Sequence, residues 1–284
     1  MIDFFTDAFS SQLTQRALLG GLLAATITAL VGVWVVVRGL AFFGDAMAHG
    51  VLPGIALAAV WGFDLTLGAI ASAIVMVGGI NVVQRSTRLS DDTAIGLLFV
   101  GMLALGVVVI SHQPTYAGDL TSFLFGDVLG VRRDDLVVGV VVLAIVSATL
   151  VIGHRSFLAL AVNREKAVVL GLRPQLANAA LMVLLALAVV STFQVVGTLL
   201  VFGLLIAPPA SAVLIARRLP LAMVVAVVFG WSSVVLGLSI SYHANLAASA
   251  TVAGIAVAQF FVVMAAVELT QAVRRRRRRT FAAA

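Results

Sequence analysis

The sequence predicts an all-α integral membrane protein, a bundle of about nine transmembrane helices that forms a single transmembrane domain over residues 1–284. Hydrophobic residues make up 62% of the chain and charged residues only 11%, and a soluble domain of this size cannot bury so much apolar surface. The apolar residues occur in runs of about 17–22, the length at which a helix crosses a ~30 Å hydrocarbon layer, rather than in alternating ten-residue strands.

The spans follow from hydropathy, taken along the chain. They lie at about 17–37, 40–61, 65–83, 94–111, 135–153, 177–195, 197–216, 220–241 and 250–270. Residues 112–134 are too polar for a full span, and we interpret them as an outer loop with a short interfacial or re-entrant helix. Because glycines and a proline interrupt the second span, eight spans is the alternative to nine.

The basic residues predict which side of the membrane each loop occupies. With the N-terminus outside and the C-terminus inside, fifteen of the eighteen basic residues lie on the inner side, and only Arg16, Arg132 and Arg133 lie outside. Positive charge accumulates on the cytoplasmic side of membrane proteins. The sequence therefore predicts a multi-pass protein of a bacterial plasma (inner) membrane with a cytoplasmic C-terminus.

The basic tail, residues 271–284, explains the high isoelectric point of about 11.2. Six of the basic residues form one run, Arg274–Arg279, directly after the last span. Such a run is typical of a cytoplasmic anchor beside anionic membrane lipid. We therefore predict membrane lipid as a partner and no nucleic acid.

Several classes of machine are excluded by what the sequence lacks. The phosphate-binding motif GxxxxGK[ST] is absent, and so is the zinc-protease motif HExxH. There are no cysteines, so metal ligands are restricted to oxygen, nitrogen or the thioether of methionine. The few intramembrane carboxylates argue against a proton-coupled carrier. The chain is therefore predicted not to be an enzyme, and any ATP hydrolysis belongs to a separate subunit.

The most informative stretch lies within the second span, where Asp45 and His49 interrupt apolar sequence. An ionised carboxylate near the bilayer centre costs about 2.5–3.5 kcal/mol on insertion scales. Residues four apart share one face of a helix, with Cβ atoms about 6 Å apart. A carboxylate oxygen and an imidazole nitrogen at that separation can hold one divalent metal ion. Met47 lies on the opposite face, and we predict that it packs in the core.

The chain resembles the membrane-spanning permeases of ATP-binding-cassette importers for zinc, manganese and iron(II). Five stretches in the same order carry the resemblance: Arg38–Gly54, with Gly-Asp-Ala-x-x-His-x-x-Leu-Pro-Gly; Ser90–Gly96; Ser122–Gly126 with Asp134–Leu136; Asn163–Leu172; and Val195–Ala210. One departure is Pro209, where the family commonly has alanine. The resemblance implies a fold like that of type II importers of this class.

The resemblance also implies partners: a second copy of this chain, two ATP-binding-cassette ATPase subunits and an extracytoplasmic metal-binding protein. It identifies residues 163–172 as the cytoplasmic coupling helix. The residues predicted to dock the ATPase are Asn163, Arg164, Glu165, Lys166 and Gly171. An interfacial anchor with no docking role is the alternative for this segment.

Other positions receive less specific predictions. We expect Gly44, Gly50, Pro53 and Pro208 to shape kinks along the pathway, the glycines chiefly by permitting close helix approach. His112 and His243 lie at outer span ends, where solvated interfacial residues are common. Contact with the outer gate or with the delivering protein is their functional alternative.

The sequence thus predicts the permease subunit of an ATP-driven importer of a divalent metal ion, manganese or zinc with iron(II) as a further candidate. The metal is a transported substrate, and no permanently bound cofactor is expected. Whether Asp45 and His49 of two copies meet at one ion, or each copy holds its own, stays open. The alternatives are a proton-coupled secondary metal transporter and a structural membrane scaffold.

Overall fold

The computed structural model describes residues 11–87, 89–111, 131–162, 168 and 171–282. Within these ranges the chain is helical apart from short turns and contains no strand, which confirms the all-α class. The helices of the described chain, in order, are α1 (Gln12–Val37), α2 (Ala41–Gly50), α3 (Leu52–Trp61), α4 (Leu65–Ser86), α5 (Asp91–Ile110), α6 (Arg133–Val162), α7 (Pro174–Ile215), α8 (Leu219–Ala244) and α9 (Ala248–Ala282).

The number of spans agrees with the prediction. Eight segments of the described chain are long and apolar enough to cross a membrane, with α2 and α3 together forming one of them, and a shorter apolar helix, Leu199–Ile215, is the ninth. Two helices run well beyond the predicted spans 135–153 and 250–270. Hydropathy marks only the part of a helix that lies in lipid, whereas helical hydrogen bonding continues into the polar region, and arginine is a good helix former.

Helix α7 folds back on itself at Gly197. The backbone of Gly197 has φ 76° and ψ 164°, a region that is essentially accessible to glycine alone. Arg38 donates a hydrogen bond of 3.0 Å to Asn178 near the start of α7, and Pro209 near its end packs against Gly32. A straight helix would place Asn178 and Pro209 about 46 Å apart, yet their contacts on α1 are only about 9 Å apart along its axis.

The reversal in α7 explains how residues Pro174–Ile215 form two spans. Between its two ends α7 reaches the opposite end of α1, where Thr192 lines a small cavity together with Gly20 and Ala24. The predicted boundary between the spans 177–195 and 197–216 is therefore confirmed.

Helices α1 and α7 form the centre of the bundle, with α8 and α9 packed on one side and the group α2–α5 on the other. Small residues allow close contact between them. Gly32 of α1 lies against the backbone carbonyl of Leu205, and Gly230 of α8 lies against Ala25. Membrane helices associate through such close packing because lipid provides no hydrophobic driving force between them.

An apolar groove separates α4 from α6 and α7. It encloses a cavity of about 520 Å³. Its lining includes Ile70, Ile74 and Val77 of α4, Val138 and Val142 of α6, and Val183 of α7. Helix α4 thus packs tightly along α3 and more loosely where it faces α6 and α7.

Side-chain caps fix the start of the helices that surround the site. The Asp64 carboxylate accepts the backbone N–H groups of Leu67 (3.1 Å) and Thr66 (2.8 Å) at the start of α4. These hydrogen bonds lower the pKa of Asp64 below its ordinary value, and the one from Leu67 has the largest effect. Ser90 begins α5 in the same way, by accepting the N–H of Thr93.

Candidate metal site

The second span is broken between α2 and α3. Helix α2 ends at Gly50, and α3 begins at Leu52 with Pro53 in its first turn. Proline lacks the N–H group that would continue the helical hydrogen bonds. The break therefore lies at Gly50 and Pro53, and their role in shaping the pathway stays a prediction.

Asp45 and His49 lie on α2 just before this break and face one another. The Nε2 atom of His49 is 3.6 Å from Oδ1 of Asp45, and the two side chains are 26% and 33% exposed, respectively. This distance is too long for a hydrogen bond. Two donor atoms that each lie about 2.1 Å from a metal ion are about 3.0–3.4 Å apart in octahedral or tetrahedral coordination. The distance between the two donor atoms in this pair is thus only slightly longer than the distance needed to hold one divalent cation.

Two phenylalanine rings lie on one side of the His49 imidazole. Phe99 of α5 makes an edge contact with His49, with ring centroids 5.9 Å apart, and a second edge contact with Phe42 at 6.0 Å. Phe42, Asp45 and His49 occupy one face of α2. The metal-capable pair therefore has an aromatic side and an open side.

The opposite face of α2 is closely packed. A Cβ on Gly44 would lie 2.7 Å from a methyl carbon of Leu205, and a Cβ on Gly50 would collide with the Met76 thioether. Both glycines thus permit close helix approach, the structural part of their predicted role. Met47 is completely buried, which confirms that it packs in the core.

The remaining predicted residues lie elsewhere. Pro208 is buried within the second arm of α7 and keeps a helical backbone, since Gly197 holds the one non-helical conformation of that helix. His243 is exposed at the end of α8, where its Nδ1 atom contacts the Ser239 carbonyl oxygen at 2.9 Å and its ring meets Tyr242. His112 lies outside the described residues, and the structure brings neither Pro208 nor His243 into contact with the Asp45–His49 pair.

The predicted coupling helix falls largely outside the described residues. This holds for the docking residues Asn163, Arg164, Glu165 and Lys166. Gly171 is described: it has a left-handed φ of 72°, and its N–H donates to the carbonyl of Val168. That geometry is typical of a glycine that ends a helix, and it positions the chain for the start of α7 at Pro174.

Two residues of the site were not found from the sequence. Ser72 of α4 contacts the backbone on both sides of the α2–α3 break, and Phe99 of α5 contacts His49. A single serine or phenylalanine in an apolar span forms no recognisable sequence motif. Both residues reach the site only because their helices pack against α2 and α3 in the folded protein. Asp64 and Ser90 cap the starts of α4 and α5, but neither cap marks Ser72 or Phe99.

Comparison with known proteins identifies the family. The chain matches the sequence model described as the ABC 3 transport family over residues 10–267. It belongs to this family. The resemblance found in the five sequence stretches is thereby confirmed.

Relatives within the ABC 3 transport family cover nearly the whole chain. The chain is 35% identical over 265 residues to a "Probable iron transport system membrane protein" of Haemophilus influenzae, covering 93% of this chain and 97% of the relative. It is 35% identical over 248 residues to the manganese transport system membrane protein MntC of Listeria monocytogenes, covering 87% and 88%.

The fold of this chain agrees with that of a solved structure. The structure described as PsaBC from Streptococcus pneumoniae in complex with Fab matches with a TM-score of 0.82 and 32% identity, covering 93% of this chain and 95% of the matched chain. The two chains thus share the helical membrane bundle that hydropathy predicts.

Proposed function

We propose that this chain is the permease subunit of an ATP-driven importer of a divalent metal ion, and that two copies form the translocation pathway. The names of its relatives refer to manganese and to iron, which favours manganese or iron(II) as the substrate, with zinc as a further candidate from the sequence. The metal is a transported substrate rather than a resident cofactor.

The Asp45–His49 pair is the observation that carries this proposal. It places a hard oxygen and an imidazole nitrogen 3.6 Å apart inside an otherwise apolar span. Ionisable residues at such depth usually mark an ion pathway. A site with few protein ligands suits transport, because the ion must also leave.

A second copy would complete the coordination. Among the described residues, no group of three or more His, Cys, Asp or Glu side chains could hold a metal ion. One chain therefore offers two donors from this pair, whereas divalent transition metals take about four to six ligands. Two copies that face one another across the pathway would offer four. One ion bound per dimer supports this shared site, and two ions per dimer support a separate site in each protomer, completed by water.

The source of energy lies in other subunits. The chain carries no nucleotide-binding motif, so ATP hydrolysis is assigned to two ATPase subunits that dock on residues 163–172. An extracytoplasmic metal-binding protein would deliver the ion to the outer side. Closure of the ATPase subunits, transmitted through the docking segment, would switch the pathway between outward and inward access.

The experiment is uptake of Mn²⁺ into proteoliposomes that contain this chain with its ATPase and binding protein. We expect ATP-dependent uptake by the natural sequence and none by the His49→Ala or Asp45→Asn variants, all of which still co-purify with the ATPase. Asp64→Asn is the matched control, because it removes an exposed carboxylate but keeps a good helix cap.

Two outcomes would overturn the proposal. Normal uptake by both His49→Ala and Asp45→Asn would remove the pair from the pathway. Uptake by the chain without an ATPase, driven by a proton gradient, would instead support the secondary-transporter alternative.

A further inference from the structure

We infer that Ser72 of α4 is a positioning residue for the metal site, because its hydroxyl replaces the helical hydrogen bond between the Gly54 N–H and the Gly50 carbonyl, next to His49. The inference rests on the proposed function, since it assigns Ser72 a role in metal uptake. Ser72 lies on a different helix from the metal-capable pair, so this role makes the geometry of the site depend on the position of α4.

The contacts of Ser72 define the role. Its Oγ donates to the carbonyl oxygen of Gly50 at 2.9 Å and accepts the N–H of Gly54 at 3.3 Å. In a continuous α-helix the N–H of Gly54 would bond directly to the carbonyl of Gly50, four residues earlier. The Ser72 hydroxyl is therefore inserted into the helical ladder, an arrangement that bends a helix.

The position of this bridge connects it to the metal site. Gly50 directly follows His49, so the orientation of the Gly50 carbonyl and that of the imidazole are set by the same turn of α2. Ser72 is only 5% exposed, and the apolar surroundings offer no water to replace its hydroxyl. Its side chain thus fixes the opening between α2 and α3.

The neighbouring contacts hold Ser72 in register. A Cβ on Gly54 would lie 2.7 Å from the Cβ of Ser72 and would also collide with the Gly68 carbonyl. One turn further along α4, Met76 packs under Gly50. Gly68, Ser72 and Met76 therefore form a stripe of α4, four residues apart, along which the broken span is aligned.

Removing the hydroxyl leaves the Gly50 carbonyl and the Gly54 N–H unpaired in the membrane interior. The break must then close, by direct bonding of these two groups, or open further, and either change disturbs the last turn of α2, which carries His49. We expect a weaker metal site with intact assembly, seen as a KM for Mn²⁺ that rises roughly five- to thirty-fold.

The test compares Ser72→Thr with Ser72→Val in the assembled transporter. These variants have nearly the same shape and differ in the hydroxyl. We expect Thr to keep a KM near that of the natural protein, and Val to raise KM while the maximal rate changes little. Equilibrium dialysis with Mn²⁺ alone should show the same order of affinity. Ser239→Ala is the matched control: Ser239 is a fully buried serine that donates within α8, to Val235.

Equal KM values for the Thr and Val variants would overturn the inference. If the Val variant does not assemble, Ser72→Ala is compared with the natural protein, and an unchanged KM overturns it equally. Failure of the proposed function is recognised separately, because the natural protein would then show no ATP-dependent uptake or His49→Ala would transport normally.

Discussion

In the part of the chain that the structure describes, apolar helices are interrupted between α2 and α3 and at Gly197 of α7, and the two interruptions are built differently. Between α2 and α3 the break is held from outside by Ser72 of α4, and Asp45 and His49 stand within the turn or two before it. In α7 the reversal lies in the backbone of Gly197 itself, and its neighbours Val196 and Leu200 are buried apolar side chains.

The difference shows that an interrupted membrane helix is not by itself a binding site. Asp45 and His49 lie on the helix that ends at the α2–α3 break, whereas the sequence from 190 to 203 around Gly197 contains no ionisable residue. The reversal in α7 only changes the direction of the chain, whereas the α2–α3 break also lies next to a pair of side chains that could bind a metal ion. Changes at the two places should therefore affect different measurements.

The largest expected effect is on stability, from Gly197→Ala. A residue with a Cβ is strained at this φ and ψ by about 1–3 kcal/mol. We expect a lower yield of the assembled complex and a lower Tm, with an unchanged KM for Mn²⁺ in the fraction that folds. Gly78→Ala is the control, because it lies in a helix with open space around its Cα. A raised KM at an unchanged Tm would contradict the comparison.

A smaller effect is expected from Phe99→Leu, which keeps most of the bulk but removes the ring that contacts His49. An aromatic edge contact contributes about 0.5–1.5 kcal/mol. We expect KM for Mn²⁺ to rise roughly two- to twelve-fold, with little change in Tm. Phe261→Leu on α9, an exposed ring that faces away from the core, should leave uptake unchanged. The same result for both variants would remove Phe99 from the site.

The smallest effect concerns Asp64, a carboxylate that caps α4 and serves as a contrast to Asp45. Its pKa is lowered in the folded state. Its stabilising effect is therefore complete above the ordinary pKa of a carboxyl and is lost as the pH falls through the lowered value. We expect Asp64→Ala to reduce Tm slightly at neutral pH, and this difference to shrink as the pH falls below the ordinary pKa of an aspartate carboxyl. Uptake should not change, whereas a loss of uptake would give Asp64 a role in the pathway.

Much of the fold could be predicted because membrane helices are marked by hydropathy alone. The face shared by Asp45 and His49 followed from helical periodicity, and the boundary near Gly197 followed from the length of a span. The left-handed backbone of Gly197 did not, because nothing in the sequence distinguishes it from glycines that pack within helices. Ser72 and Phe99 were missed for another reason: their roles arise from contacts between helices that are distant in sequence.

One contact has a mechanical consequence. Gly54 and Gly68 bring the backbones of α3 and α4 together with no side chain between them, so the two helices can neither slide nor rotate against each other without collision. We therefore expect α3 and α4 to move as one rigid unit. We expect relative motion to be taken up at the groove of about 520 Å³ that separates α4 from α6 and α7, because its lining is mostly apolar.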